Sequence, residues 1–349
     1  MTATRIGLLV PAAGPFRQAC AMKAARIGLP VAAAVLLTVP LWVPGDYYIS
    51  VCSQILIYAI FALSVDVLLG YAGLVSLGHA GLFGLASYTV AVCLGAGFGH
   101  VAAIAAAIGL TLAGTAVFAA LSLRTTGIGF IMITLALGQI AWGLAYRWVS
   151  ITNGDNGLSV AHRPAPFGFQ LDAPSHFYYA TVVVFVLAVI ATWIFVHSPF
   201  GASLKGTRDQ PRRMTALGYH VWLIRFYACL FSGLLAAVAG ILFVYYTEFV
   251  SPPTVSLTSS AEPVLMVISG GSGTLLGPVV GAILIEIVKN VASAYITRWN
   301  MMLGAIFVAI VMFMPEGLVP GTMRLVRHLF KARTKAPAAV EPASDRPVP

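Results

Sequence analysis

Runs of about 20 consecutive apolar residues, parted by short polar or Gly/Pro-rich breaks, recur along most of this chain. A helix rises 1.5 Å per residue, so about 20 residues cross the roughly 30 Å hydrocarbon core of a bilayer. Within lipid only helices and closed barrels satisfy their own backbone. The runs lack the in–out alternation of barrel strands. Composition agrees: of the 349 residues, 59% are hydrophobic and 9% charged, against about 45–50% apolar in soluble domains. The chain therefore reads as an all-α polytopic membrane protein. Ten spans are predicted, at 26–44, 49–69, 74–95, 100–121, 127–149, 177–197, 226–247, a short 262–273, 275–296 and 301–320.

Ten passes place both termini on one side of the membrane. Sixteen of the twenty Lys and Arg residues then fall on that side, and only Arg147, Arg163, Lys289 and Arg298 do not. Basic loops stay cytoplasmic. This predicts a cytoplasmic N-terminal segment over 1–25, a transmembrane domain over 26–320 and a basic, disordered cytoplasmic tail over 321–349. Segments 155–176 and 248–260 are expected outside. The net charge of +9 is thus a topology signal; no basic stripe is interleaved with aromatics as nucleic-acid binding would require. The apolar stretch after Arg5 is cut by Pro11 and is too short for a secretory signal; Met22 is an alternative start. Cys20, Cys52, Cys93 and Cys229 form no CxxC pair and read as small side chains of the spans.

Between the apolar runs, charge concentrates in one loop. Residues 205–225 carry Lys205, Arg208, Asp209, Arg212, Arg213 and Arg225. On the charge rule this loop is cytosolic, and a short polar helix over 208–218, ended by Gly218, is the shape that would receive a push from a soluble subunit.

Two glycine-rich stretches interrupt the apolar runs. One holds Gly70, Gly73, Ser76, Gly78 and His79; the other holds Gly270, Gly271, Gly273 and Gly277. Glycine permits close backbone approach and unwound backbone beside a cavity. Spans 2–5 and 7–10 run in opposite senses and form a possible inverted repeat, which would put the two breaks in corresponding positions. Such breaks point to a transport site, with close helix packing as the alternative reading. Few other polar groups lie in the spans. Asp66 is an intramembrane carboxylate, read as a relay or as a group hydrogen-bonded to a neighbour. His79 reads as a neutral, hydrogen-bonded ring. Glu286 and Lys289, at i and i+3, are placed to pair. No catalytic triad, paired catalytic carboxylates, HExxH or phosphate-binding GxxxxGK[ST] occurs, so no enzyme chemistry is expected and any ATP-driven work needs separate subunits.

These stretches resemble one family. GYAGLVSLGHAGLFG at 70–84 and RTTGIGFIMITLA at 124–136 are similar to signatures of LivM-type permeases of ABC importers for branched-chain amino acids. So are TNGDNGL at 152–158, RDQPRRMTALGY at 208–219, MVISGGSGTLLGP at 266–278 and PEGL at 315–318. The resemblance covers roughly 45–320, in the family's order. It implies a permease with the ten-helix fold of vitamin B12-type importers, in the bacterial inner membrane. Implied partners are a second homologous permease, two cytosolic ATPases that bind ATP and Mg, and an extracytoplasmic binding protein; no cofactor is expected on this chain. The resemblance also implies an ATPase-coupling role for Arg208, Asp209, Arg212, Arg213, Ala216 and Gly218. Two departures stand out: Pro211 and Arg212-Arg213 replace commoner Glu and Ala, and Asn153 replaces a glycine. Leucine, isoleucine and valine lead as cargo, with urea, short amides and other amino acids as alternatives. A secondary transporter or channel, using Asp66, His79 or the Glu286–Lys289 pair, is the rival of another class.

Overall fold

The computed structural model describes residues 45–160 and 173–295, with positions 38, 40, 301, 304, 305, 308, 312 and 317–321 besides. Most of the expected span at 26–44, about half of that at 301–320, the segment 1–25 and nearly all of the tail lie outside the described residues. Helix α1 (Asp46–Asp66) continues into a π-helical stretch, Val67–Ala72. There follow α2 (His79–Gly95), α3 (His100–Ser122), α4 (Ile128–Arg147) and the single turn α5 (Val149–Thr152). Strand β1 (Leu158–Ser159) precedes α6 (Pro174–His197), α7 (Pro199–Asp209), α8 (Pro211–Ala216) and α9 (Val221–Thr247). Strand β2 (Phe249–Val250), α10 (Leu257–Gly270) and α11 (Gly277–Tyr295) complete the described order.

Five of these helices are long and apolar enough to cross a membrane: Asp46–Ala72, His100–Ser122, Ile128–Arg147, Pro174–His197 and Val221–Thr247. The protein is a multi-pass helical membrane protein. The eight expected spans between 49 and 296 match helices in position, with ends shifted by a few residues. The exception is 74–95, whose first five residues are not helical.

α1 is the central element. Its Leu56, Ile60, Phe61, Leu63 and Val65 are buried in a core shared with α2, α6, α9, α10 and α11. An apolar helix in lipid gains nothing from hiding apolar side chains as such, so association rests on close packing and on hydrogen bonds. The stacked rings of Phe195 on α6 and Phe231 on α9, 4.1 Å apart, and of Phe61 and Phe83, 4.5 Å apart, supply the first. α3 and α4 are peripheral: Val101, Leu110 and Val117 on one, and Ile128, Met132 and Ile140 on the other, stay exposed.

The two ends of the bundle differ. At one, β1 and β2 pair antiparallel, Leu158 opposite Val250 and Ser159 opposite Phe249. The loops expected on the outer side thus meet at one end. At the other end α7 packs beneath the π-helical end of α1, and α8 packs against α7 and α9. Pro199 at the first turn and the Ser198 hydroxyl, which accepts from Gly201 N at 3.2 Å, start α7 where an apolar span has just ended.

Candidate functional site: a glycine junction beneath a charged helix pair

At the α7–α8 end, α1 widens into its π-helical turn, a form frequent at functional sites. Gly73 then takes a left-handed conformation (φ 71°), and helix resumes only at His79. The second break, between α10 and α11, folds against the first. Asp66 Oδ1 accepts a hydrogen bond from Gly273 N at 2.8 Å, with Asp66 only 1% exposed. A Cβ on Gly70 would overlap both the Asp66 carboxylate and the backbone nitrogen of Gly273, so the two backbones meet at a distance only glycine allows. The two breaks that the sequence marks out far apart are one junction.

Two basic residues of the charged loop, Arg208 and Lys205, turn inward onto it, and Arg225 braces α7. Arg208 Nη1 donates to the Gly70 carbonyl, and its stem covers Gly73, where a Cβ would stand 2.8 Å from Arg208 Cγ. The Lys205 ammonium lies 5.2 Å from the centre of the Tyr71 ring. Burial, with Arg208 nearby, holds that ammonium below its usual pKa range. Arg225 Nη2 donates to Thr207 O at 3.1 Å. The remaining loop residues face away. The Asp209 side chain is 76% exposed against 37% for Arg208; Arg212, Arg213 and Ala216 are exposed, and α8 buries no residue.

The expected single helix over 208–218 is corrected to two. Arg208 and Asp209 end α7, the chain breaks at Gln210 (φ −146°, ψ 80°), and α8 starts at Pro211. The cause is local: proline disfavours the helical conformation in the residue before it. Gly218 does end α8. At φ 86° it donates to Thr215 O at 3.0 Å while Tyr219 N donates to Met214 O at 3.1 Å, the paired bonds of a Schellman cap.

Above the junction the non-helical stretch is pinned by α4 and α9. Leu77 N donates to Thr134 Oγ1 at 3.3 Å, and a Cβ on Gly78 would overlap the Thr134 carbonyl. His79 Nε2 lies 2.8 Å from Ser232 Oγ, and Nδ1 lies 2.9 Å from Ser76 Oγ. The Ser232 hydroxyl is committed to Ser64 O at 2.6 Å, so Nε2 donates and a neutral ring accepts from Ser76 at Nδ1. In the second break Gly270 and Gly277 are in direct backbone apposition, and Gly271 (φ 115°) carries the turn between them.

The expected Glu286–Lys289 pair forms, and Lys289 has a closer partner besides. Lys289 Nζ sits 3.1 and 3.2 Å from the two oxygens of Glu262 on α10 and 3.9 Å from Glu286 Oε1. Its charge also lies 5.2 Å from the centre of the Tyr58 ring. Glu286 is wholly buried, and neither carboxylate oxygen has a hydrogen bond within the described structure. Glu262 was missed by the sequence reading, although a carboxylate opening an apolar run was signal enough.

A cavity of about 610 Å³ opens between α2, α3 and α4, walled by Leu85, Val92, Leu110, Val117, Ile140 and Trp148 among others. None of the described residues that line it is charged. Among the described residues no cluster of three His, Cys, Asp or Glu gathers to hold a metal.

A multi-pass helical bundle, with glycine-broken segments meeting over a charged helix pair, has the layout of a membrane permease. The chain belongs to the family described as branched-chain amino acid transport system, permease component, which matches residues 47–312. It is 26% identical to the high-affinity branched-chain amino acid transport system permease protein LivM of Salmonella typhimurium, covering 78% of this chain and 70% of that one. LivM of Escherichia coli matches to the same extent. The autoinducer 2 import system permease protein LsrC of Yersinia pseudotuberculosis is 29% identical, over 60% of this chain and 59% of the relative. No solved structure matches. The chain is a transport subunit of an ABC system.

Proposed function

We propose that this chain is a permease subunit of an ATP-driven importer that carries branched-chain amino acids across the bacterial inner membrane. In this reading it spans the membrane ten times in a fold like that of vitamin B12-type importers, with both termini cytoplasmic. It works with a second homologous permease, two cytosolic ATPases that bind ATP and Mg, and an extracytoplasmic binding protein. The observation that carries the reading is the family match over 47–312, joined to the LivM relatives that cover most of the chain. Two features support the orientation. The exposed basic face of Arg212 and Arg213 lies at the α7–α8 end, where basic loops are cytoplasmic. The paired strands β1 and β2 lie at the other.

The cargo follows from LivM rather than from any pocket, and LsrC, named for autoinducer 2 import, belongs to a system with a different cargo. The test is transport by the complete complex in proteoliposomes, with ATP inside, binding protein outside and radiolabelled leucine. Uptake is expected to need ATP, to ignore a protonophore and to be competed by isoleucine and valine. Proton-linked uptake by this chain alone would make it a secondary transporter, and competition by urea or amides in place of valine would move the cargo.

A further inference from the structure

We infer that Arg208 is the positioning residue that ties the charged helix pair to the glycine junction, so that movement of α7 is passed to both broken segments at once. The inference rests on the importer reading and assigns a task within it. Arg208 lies at the end of α7 with its side chain 37% exposed and its Nε 4.0 Å from Asp209 Oδ1, yet the Nη1 end of its guanidinium turns onto the junction. Nη1 donates to the Gly70 carbonyl, in the π-helical turn of α1. Its stem closes over Gly73, the left-handed residue at which α1 stops. A Cβ built on Gly273 would lie 3.7 Å from Nη1, which puts the same guanidinium beside the second break. The Asp66–Gly273 hydrogen bond joins the two breaks behind it.

One side chain from the helix pair thus reaches both arms of the junction. A bond from a charged donor is stronger than a neutral one, and a planar guanidinium can address two backbones that a lysine's single ammonium cannot. Asp209, Arg212 and Arg213 offer the exposed surface to an outside partner, whereas Arg208 is spent inward. A shift of α7 must therefore carry the Gly70 carbonyl with it or break this contact. A coupling claim needs such an element that both sites bias.

The experiment compares Arg208→Ala, Arg208→Lys and Asp209→Ala in the assembled complex. It measures co-purified ATPase, ATP hydrolysis, leucine uptake per ATP, and hydrogen exchange over 66–78 and 270–277. Arg208→Ala is expected to keep the ATPases bound and hydrolysing while uptake per ATP falls at least tenfold and exchange in both segments rises. Arg208→Lys should restore protection at 66–78 more than at 270–277. Asp209→Ala should leave exchange unchanged. Loss of bound ATPase in Arg208→Ala with unchanged exchange would make Arg208 a docking contact and overturn the tether. Normal uptake per ATP would overturn it too. If Arg208→Ala does not assemble, Arg208→Lys decides by the same exchange readout. A wild-type complex that fails to move leucine would sink the cargo assignment, while the exchange comparison would still judge the tether.

Discussion

Lys289 is the ammonium that two carboxylates of different helices face. Glu262 holds it at hydrogen-bond distance and Glu286 stands behind at 3.9 Å. Removing one partner of a buried ion pair costs about 3–5 kcal/mol, because the charge left behind has no compensation. Lys289→Met is therefore expected to lower the melting temperature of the detergent-purified chain sharply. Adding Glu262→Gln to it should recover part of the loss, since the cycle removes the stranded charge. A strictly additive double variant would show that the pair is not coupled. Asn153 makes a quieter point. It sits in the left-handed region at φ 58°, which Asn tolerates better than most residues, so the turn needs no glycine at this position. Its amide donates to Gly157 O at 3.1 Å.

Close approach between elements is what sets the junction. A Cβ at Gly70 would strike Asp66 and Gly273, whereas one at Gly109, in the middle of α3, meets nothing within 4 Å. Gly70→Ala is expected to cost at least about 1–3 kcal/mol through overpacking. Gly109→Ala should leave stability unchanged or raise it, since alanine is the better helix former. Thermal unfolding of the two purified variants is the check; equal melting temperatures would remove the backbone contact from the account. The length and position of most helices were legible in the sequence, because a bilayer demands uninterrupted apolar runs. So were the two breaks and the charged loop. Their meeting was not. Gly70, Gly273 and Arg208 belong to separate elements, and local periodicity says nothing about which distant segments touch. The same holds for Glu262 and Lys289. The i, i+3 rule found the carboxylate on the same helix and missed the closer one across the interface. The split of the charged segment into α7 and α8 was legible in principle, since Pro211 limits Gln210 on its own.

For the molecule as a whole, charge distribution and fold bear on the same question of orientation. Ser159 lies exposed on β1, and Thr215 lies exposed on α8 at the opposite end. In a variant lacking the four native cysteines, a thiol at Ser159 is expected to react with an impermeant reagent on intact cells. A thiol at Thr215 should react only after the membrane is opened. The reverse pattern would invert the protein in the membrane and take α7 and α8 away from any cytosolic ATPase.

The short ladder between β1 and β2 has a mechanical consequence. It joins residues 158–159 to residues 249–250, so the chain between them is a closed ring clamped at its base. α6 and α9 are the two arms of that ring, and α7 and α8 are its tip. Both arms pack into the core around α1, so a load applied at the tip reaches that core through two helices whose far ends the strands tie together.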